Sequence, residues 1–345
     1  MGDSPVDFKS AIRNPQLLER NMTVKVGILG AGYMGKTHGR ILRGDPRVIL
    51  SAVFDIDAQR KEEAARELEC RAAESEEQLM DQVDAVYVTL PNTTHAAASA
   101  RALERGKHVF CEKPFATSLE DAGKLLELCR STMSVFAVGH NRRFAPAYML
   151  VKEFLAGGRH EPTLAQFKMN RGELESPPWV ENAAVTGGYL YETPIHLFDM
   201  ARWLLGEVTD LTAAGAARTY AEPDNFSLLL RFESGLSLTF ASCAHSTWAF
   251  PFERIEIYGR YFTVETAEME RVSITHGLNK AASVQDFHAL KMEQKWGYAA
   301  IDANFISAVL GEEATAVTAD DGYRSVELAD RCYRALRSTP AEAQL

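Results

Sequence analysis

Val24-Lys25-Val26-Gly27-Ile28-Leu29-Gly30-Ala31-Gly32-Tyr33-Met34-Gly35 decides the fold. A short, largely β-branched run passes directly into Gly-x-Gly-x-x-Gly, and a helical pattern follows. That order, strand then glycine turn then helix, makes an otherwise weak spacing specific. Each glycine has its own task. Gly30 makes the tight turn, Gly32 lets backbone approach a pyrophosphate, and Gly35 lets the helix pack on the strand, while free amides at the helix start face the anion. Tyr33 and Met34, inside the motif, join the expected cofactor contacts. Asp55 ends the next apolar run, where a carboxylate accepts both ribose hydroxyls and repels a 2′-phosphate, so NAD is expected over NADP. A second reading of Asp55 stays open, a turn or helix-capping aspartate, because Asp57 also precedes a helical pattern.

Outward from the motif, short apolar runs at 24–29, 48–54, 85–90, 108–111 and 135–138 alternate with amphipathic stretches at 58–68, 95–105 and 119–129. This is how a buried parallel sheet and its crossover helices read, and Ser118-x-x-Asp121 caps the last helix. After Gly139 the rhythm changes. Alternating runs at 163–170, 226–232, 236–241, 254–258 and 261–265, with a turn at Glu233-Ser234-Gly235, predict an antiparallel sheet with one wet face. Helices are expected at 298–310 and 322–336, the second capped by Asp320 and Asp321. The fold class is therefore an α/β domain with a doubly wound parallel sheet, followed by an α+β domain with a large, mainly antiparallel open sheet. The expected division is an arm at 1–22, a dinucleotide-binding domain at 23–140 and a substrate and oligomerisation domain at 141–345.

Composition supports this reading. The 345 residues carry 37 basic and 47 acidic side chains, a net charge of −10, with 46% hydrophobic and 24% charged residues. Those proportions exclude disordered, collagen-like and coiled-coil classes and leave material for two cores. A net acidic chain without basic runs argues against a nucleic-acid partner. Five scattered cysteines without a Cys-x-x-Cys pair fit a reducing cytoplasm. No membrane partner is expected, since the strongest apolar run, 195–205, is broken by Asp199 and Arg202.

Chemistry-bearing residues cluster in two further places. Leu90-Pro91-Asn92-Thr93-Thr94-His95 and Cys111-Glu112-Lys113-Pro114 each follow a strand, at the edge of the sheet where ligands bind. Lys113 is either a working residue there or a solvated loop lysine. Gly187 to Asp199 joins a Gly-Gly turn to an apolar helix, with Glu192, His196 and Asp199 spaced four and three apart. Helical spacing would put them on one face, although Pro194 places Glu192 in the turn before the helix. A carboxylate beside an imidazole raises its basicity, as proton abstraction from an alcohol requires. Two other readings of His196 stand beside this one, a satisfied core histidine and half of a metal pair. No further ligand spacing supports a metal, and none is expected.

With Val26 to Gly35 and His38, Pro91-Asn92-x-x-His95, Glu112-Lys113-Pro114, Asn141-Arg142-Arg143-Phe144 and Gly187-Gly188 to His196 in order, the chain resembles the glucose-fructose oxidoreductase, inositol dehydrogenase and MocA family from Val24 to Leu336. The resemblance implies that Lys113 stands beside the reacting carbinol. It also implies that the histidine of a D-x-x-x-H segment, here His196, is the base or acid. Glu192 stands where the family has aspartate, and Tyr189 or Tyr191 could supply the proton instead. By the same resemblance His38, Thr89, Pro91, Asn92, His95, Glu112 and Arg142 are expected around the cofactor, Arg142 being equally readable as a structural ion pair. Arg171, Trp179, Tyr191, Trp296 and Tyr298 are the expected substrate contacts, each with an ordinary core or interface reading beside it. The expected activity is reversible NAD-dependent oxidation of a secondary alcohol on a sugar, sugar derivative or cyclitol, in a homodimer or homotetramer. Two rivals are a keto-sugar reductase acting on a nucleotide-linked sugar and a non-catalytic dinucleotide-sensing regulator of the same fold.

Overall fold

A computed structural model describes residues 23–173, 182–249 and 251–338. Strands β1 (Val24–Leu29), β2 (Val48–Phe54), β3 (Arg71–Ala72), β4 (Ala85–Val88), β5 (His108–Cys111) and β6 (Phe136–Val138) form a six-stranded parallel sheet in the order β3-β2-β1-β4-β5-β6. This is a doubly wound sheet whose strand order reverses between β1 and β4, and ligands bind outside the carboxyl ends at such a switch point. Strands β4 and β6 are buried along their whole length, as a sheet covered on both faces requires. The helices of this half are α1 (Tyr33–Arg43), α2 (Ala58–Glu67), α3 (Glu76–Met80), α4 (His95–Glu104) and α5 (Leu119–Ser131). Ser118 caps α5, accepting the Asp121 amide at 3.1 Å and donating its hydroxyl to the Asp121 carboxylate at 2.7 Å.

After β6, a short turn at Asn141–Phe144 and α6 (Pro146–Leu155) lead into the second sheet. Its strands are β7 (Pro162–Asn170), β8 (Val208–Ala216), β9 (Asn225–Phe232), β10 (Ser237–Cys243), β11 (Glu253–Gly259), β12 (Phe262–Ala267), β13 (Arg271–His276) and β14 (Ser283–Asp286). They lie in the order β14-β13-β12-β11-β7-β10-β9-β8, with β7 and β10 parallel and the other neighbours antiparallel. Burial alternates along β9 to β12, so one face is dry and the other wet. Between β7 and β8 come α7 (Ala183–Thr186), α8 (Tyr189–Glu192) and α9 (Ile195–Leu205), and Phe198 of α9 packs on Phe240 of β10.

The chain ends in α10 (Met292–Lys295), α11 (Tyr298–Val309) and α12 (Ala319–Ser338). Helix α11 packs on α1, and α12 touches α5 and β6 of the first sheet as well as β8 and α9. The last helix starts three residues earlier than its periodicity suggested. Thr318 is its cap, exchanging bonds with Asp321, which sits inside the first turn. Among the described residues, no helix is long and apolar enough to cross a membrane.

Candidate active site

The glycine loop is shaped by contacts that exclude side chains. Gly30 has φ +99°, and a Cβ there would come 2.5 Å from the Thr89 carbonyl. A Cβ on Gly35 would meet the Gly30 carbonyl at 2.0 Å, so α1 starts hard against the loop. Gly32 is different, because a Cβ there would meet nothing within 4 Å. Helix α1 opens at Tyr33 with no side chain capping it, so its first amides carry partial positive charge into that space. One strand over, Asp55 accepts the Ala31 amide on Oδ2 and the Asp57 amide on Oδ1, each at 2.9 Å. Asp57, not Asp55, caps α2. Open space over Gly32, an uncapped helix start and a carboxylate at the end of β2 together fit a dinucleotide.

In the same sheet, two strands from β1, the turn after β5 carries Glu112, Lys113 and Pro114. Lys113 Nζ donates to the Glu192 carbonyl at 2.7 Å and lies 3.9 Å from Glu192 Oε1. Glu192 is the last residue of α8, and His196 stands in the first turn of α9, with Thr193 and Pro194 between the helices. Burial raises the Glu192 carboxyl, but Lys113, Arg171 and Thr193 outweigh it and hold it below the usual carboxylate range. His196 is half-buried, and its Nδ1 has no hydrogen-bond partner. Burial, and then the positive charges of Arg142 and Lys113, hold its pKa well below 6.5, so the ring is neutral at pH 7. A neutral imidazole can accept a proton, and an ammonium beside it can stabilise an oxygen that is losing one.

Several expected contacts do their work behind this pair. Arg171 is buried; Nε donates to Thr193 Oγ1 at 3.0 Å, Nη1 to the Gly172 carbonyl at 2.9 Å, and Nη2 lies 3.5 Å from Glu192 Oε2. Its guanidinium is taken up by Thr193, the Gly172 carbonyl and Glu192. Tyr191 turns away, with its ring 5.8 Å from Tyr333 of α12. The Tyr189 hydroxyl bonds Ser242 at 2.8 Å and the Met169 carbonyl at 3.3 Å, so it is already occupied. Arg142 is a structural ion pair, bonded to Glu253 at 2.9 and 2.6 Å in a dry pocket with Tyr148. The Trp296 carbonyl accepts from Asn141 at 2.8 Å and its ring packs half-buried, while Tyr298 is buried 5.9 Å from His38. Trp179 lies outside the described residues.

The expected cofactor contacts divide in the same way. Tyr33 is exposed at the cleft rim, with Met34 beside it half-buried and Pro91 on the surface. The Thr89 hydroxyl donates to the Gly30 carbonyl at 2.8 Å and so braces the glycine loop. Asn92 donates to the Thr186 carbonyl of α7 at 3.1 Å. His95 is buried between the Pro114 and Leu90 carbonyls, at 2.8 and 2.7 Å, and holds two loops of the sheet edge together. His38 is fully buried beneath the loop and not on its surface. Asp199 does not join His196. It is buried against Arg143 at 2.8 and 2.6 Å, and Arg143 also reaches Asp321 at 2.8 Å. Sequence reasoning missed Asp302, Glu253 and Thr193. The first two act on partners 264 and 111 residues away, which no local spacing reports. Among the described residues, no group of three or more His, Cys, Asp or Glu side chains could hold a metal ion.

Cradle and sheet topology define a dinucleotide-dependent oxidoreductase with a nucleotide-binding half and a second, sheet-bearing half. The chain belongs to the GFO_IDH_MocA family, residues 24–140 matching "Oxidoreductase family, NAD-binding Rossmann fold" and residues 161–341 matching "Oxidoreductase family, C-terminal alpha/beta domain". It is similar to inositol 2-dehydrogenase of Rhizobium meliloti (strain 1021), 30% identical over 325 residues that cover 91% of this chain and 97% of the relative. Two solved structures share the fold. UDP-N-acetylglucosamine 3-dehydrogenase of Acidithiobacillus ferrooxidans has a TM-score of 0.80 at 23% identity, covering 92% of this chain and 98% of that one. Levoglucosan dehydrogenase, solved with NADH and levoglucosan, has a TM-score of 0.84 at 20% identity, covering 91% and 97%.

Proposed function

We propose that the protein is an NAD-dependent dehydrogenase that oxidises a secondary alcohol of a cyclitol, sugar or sugar derivative. The observation that carries this is Lys113 held against Glu192 in the turn at the carboxyl end of β5, with a neutral His196 four residues beyond Glu192 and close enough to feel the lysine's charge. Gly30, Gly32, Gly35 and Asp55 would hold NAD, which supplies the hydride acceptor for the carbinol C–H. His196 takes the hydroxyl proton, and Lys113 stabilises the oxygen as its negative charge grows. Glu192, anchored by Arg171 and Thr193, keeps Lys113 in place and offers its other lone pairs to a neighbouring hydroxyl. The names of the similar proteins support this class, since inositol, levoglucosan and a nucleotide-linked amino sugar all present secondary alcohols. The wet face of the eight-stranded sheet, with exposed Leu164 and Val284, is the face we assign to pairing of like chains.

The test is steady-state formation of NADH, with NAD and NADP in parallel, against inositols, free sugars, sugar acids and nucleotide-sugars. A polyol that gives NADH is expected, and Lys113→Ala should lower its turnover by about 10²–10³-fold while leaving NAD binding largely intact. Unchanged turnover in that variant overturns the mechanism.

A further inference from the structure

His38 lies under the glycine loop, ringed by Tyr87, Phe110 and Tyr298 at centroid distances of 5.4, 5.0 and 5.9 Å. Both of its nitrogens face carboxylates. Nδ1 is 2.8 and 2.9 Å from the two oxygens of Asp302 on α11, and Nε2 is 3.1 Å from Glu112 Oε1. Glu112 in turn accepts the Lys113 amide on Oε2 at 3.0 Å. An imidazole donates at both nitrogens only when it is doubly protonated, and that is the form that leaves both carboxylates ionised, although burial raises the Asp302 carboxyl while His38 lowers it. The groups facing the ring are Asp302 and Tyr298 from α11, Glu112 from the turn after β5 and Tyr87 from β4; Lys113 and His95 act on Glu112 from beyond it. Burial alone would favour the neutral ring, yet the charge and hydrogen bonds of Asp302 and then Glu112 push its pKa up to about 10. Asp302, His38 and Glu112 have 2%, 0% and 6% of their side chains exposed, so bulk water does not loosen the arrangement.

We propose that Asp302 and His38 are positioning residues for Lys113. The chain Asp302–His38–Glu112 runs from a helix that follows the second sheet to the turn carrying the lysine. It fixes the Lys113 backbone by the Glu112 bond to its amide and ties the height of that turn to the packing of α11 on α1. The proposal rests on the reading of Lys113 as the residue beside the reacting oxygen. It predicts that Asp302, linked to the lysine's turn only through His38 and Glu112, changes the chemical step. Misplacement of a reacting group by about an ångström costs up to about 10²-fold in rate.

The experiment uses the full-length protein and Asp302→Asn, Asp302→Glu, His38→Gln and Lys113→Ala variants. Asp302→Asn should lower kcat at least 10-fold with KM for the polyol changed less than about 3-fold, and NAD affinity, read by quenching of tryptophan fluorescence, should stay within the same limit. Its kcat should also gain a falling limb at a pH below that of the unmodified protein, because His38 loses its main support and deprotonates earlier. Asp302→Glu, which keeps the charge, should restore the profile of the unmodified protein. Independently of turnover, ¹⁵N-histidine NMR of the cofactor-free protein should show the His38 ring still protonated at pH 8.5, and neutral at that pH in Asp302→Asn. Should Asp302→Asn not fold, His38→Gln carries the same expectation of a kcat loss, and the titration of the unmodified protein decides alone if neither folds. A His38 ring neutral at pH 8 in the unmodified protein overturns the proposal, and so does an Asp302→Asn variant with unchanged kcat and pH profile. Lys113→Ala with full turnover overturns the underlying reading of the site instead, which keeps the two failures apart.

Discussion

Gly32→Ala separates the cradle's chemistry from its architecture. The backbone at Gly32 has φ −73° and ψ −166°, which alanine adopts without strain, and the added methyl would meet nothing within 4 Å. Two effects on stability then oppose each other. Alanine lowers the entropy of the unfolded chain, worth about 0.4–1 kcal/mol, and it is a poorer helix cap than glycine by a similar amount. Folding stability should therefore stay within about 1 kcal/mol of the unmodified protein. Binding should not. The methyl fills the space in which a pyrophosphate meets the first amides of α1, and losing two charge-assisted bonds of about 1.5–3 kcal/mol each leaves a net loss of about 3–4 kcal/mol after relaxation. That is a 10²–10³-fold weaker dissociation constant for NADH, at about 1.4 kcal/mol per tenfold. The assay is a pair of measurements on one sample, a urea unfolding midpoint and an NADH titration followed by fluorescence. Gly35→Ala is the control, since its methyl would press on the Gly30 carbonyl at 2.0 Å and must cost stability. If Gly32→Ala binds NADH as tightly as the unmodified protein, the pyrophosphate does not sit over Gly32 and the assignment of the cradle is wrong.

Asp55→Ser should raise the ratio of kcat/KM for NADP to that for NAD at least 10-fold by removing the charge that repels a 2′-phosphate, at some cost in stability because Asp55 also braces the Ala31 and Asp57 amides; parallel kinetics with both cofactors check it. The folded pKa of His38, about 10, lies above its ordinary 6.5, so its stabilisation is complete below pH 6.5 and is lost as pH rises through 10. Unfolding free energy should fall by about 1.4 kcal/mol per pH unit across that window from this group, and urea midpoints of His38→Gln should lack that slope. Glu268 is the opposite kind of burden: burial and the neighbouring charge of Glu253 push its pKa up to about 8, so the folded state loses stability as pH rises from the ordinary carboxyl range to 8. Glu268→Gln keeps an acceptor for the Phe252 and Glu253 amides and should be the more stable form above pH 8, with the advantage vanishing near pH 5.

The glycine motif, five of the six parallel strands and the Glu112-Lys113 turn were legible because each is local: a strand, its turn and its helix occupy neighbouring residues. Strands β8, β13 and β14 were not, because burial is irregular along the first two and all four residues of β14 are exposed, so nothing alternates cleanly. Strand β3 spans only two residues, below any period. In the active site, sequence spacing put Asp199 with His196, and it failed there because α9 is buried on nearly every side and has two working faces. One presents His196 to the cleft and the other presents Asp199 to Arg143. Arg142 was readable either as a cofactor contact or as a structural ion pair and proves to be the pair, while Arg171, expected at the substrate, lies against Glu192; the carboxylate partners Glu253 and Glu192 could not be read from spacing.

Those hidden partners have a common geometry. Asn92 to Thr186, Arg142 to Glu253, Arg143 to Asp199 and Asp321, and His38 to Asp302 each join the segment before α6 to the segment after it, and all but the half-buried Asp321 contact are buried. Buried ion pairs add little net stability over apolar packing of the same volume, but removing one partner leaves a dry, uncompensated charge. They therefore act as alignment devices: a small slip between the two halves breaks several pairs at once, where an apolar interface would slide at little cost. The reacting groups come from both sides of that seam, Lys113 from the first half and Glu192 with His196 from the second, so the contact between Lys113 and the Glu192 carbonyl is only as well placed as the seam is rigid. A substitution at any of these pairs should consequently disturb turnover more than it disturbs binding of the dinucleotide, whose cradle lies wholly within the first half.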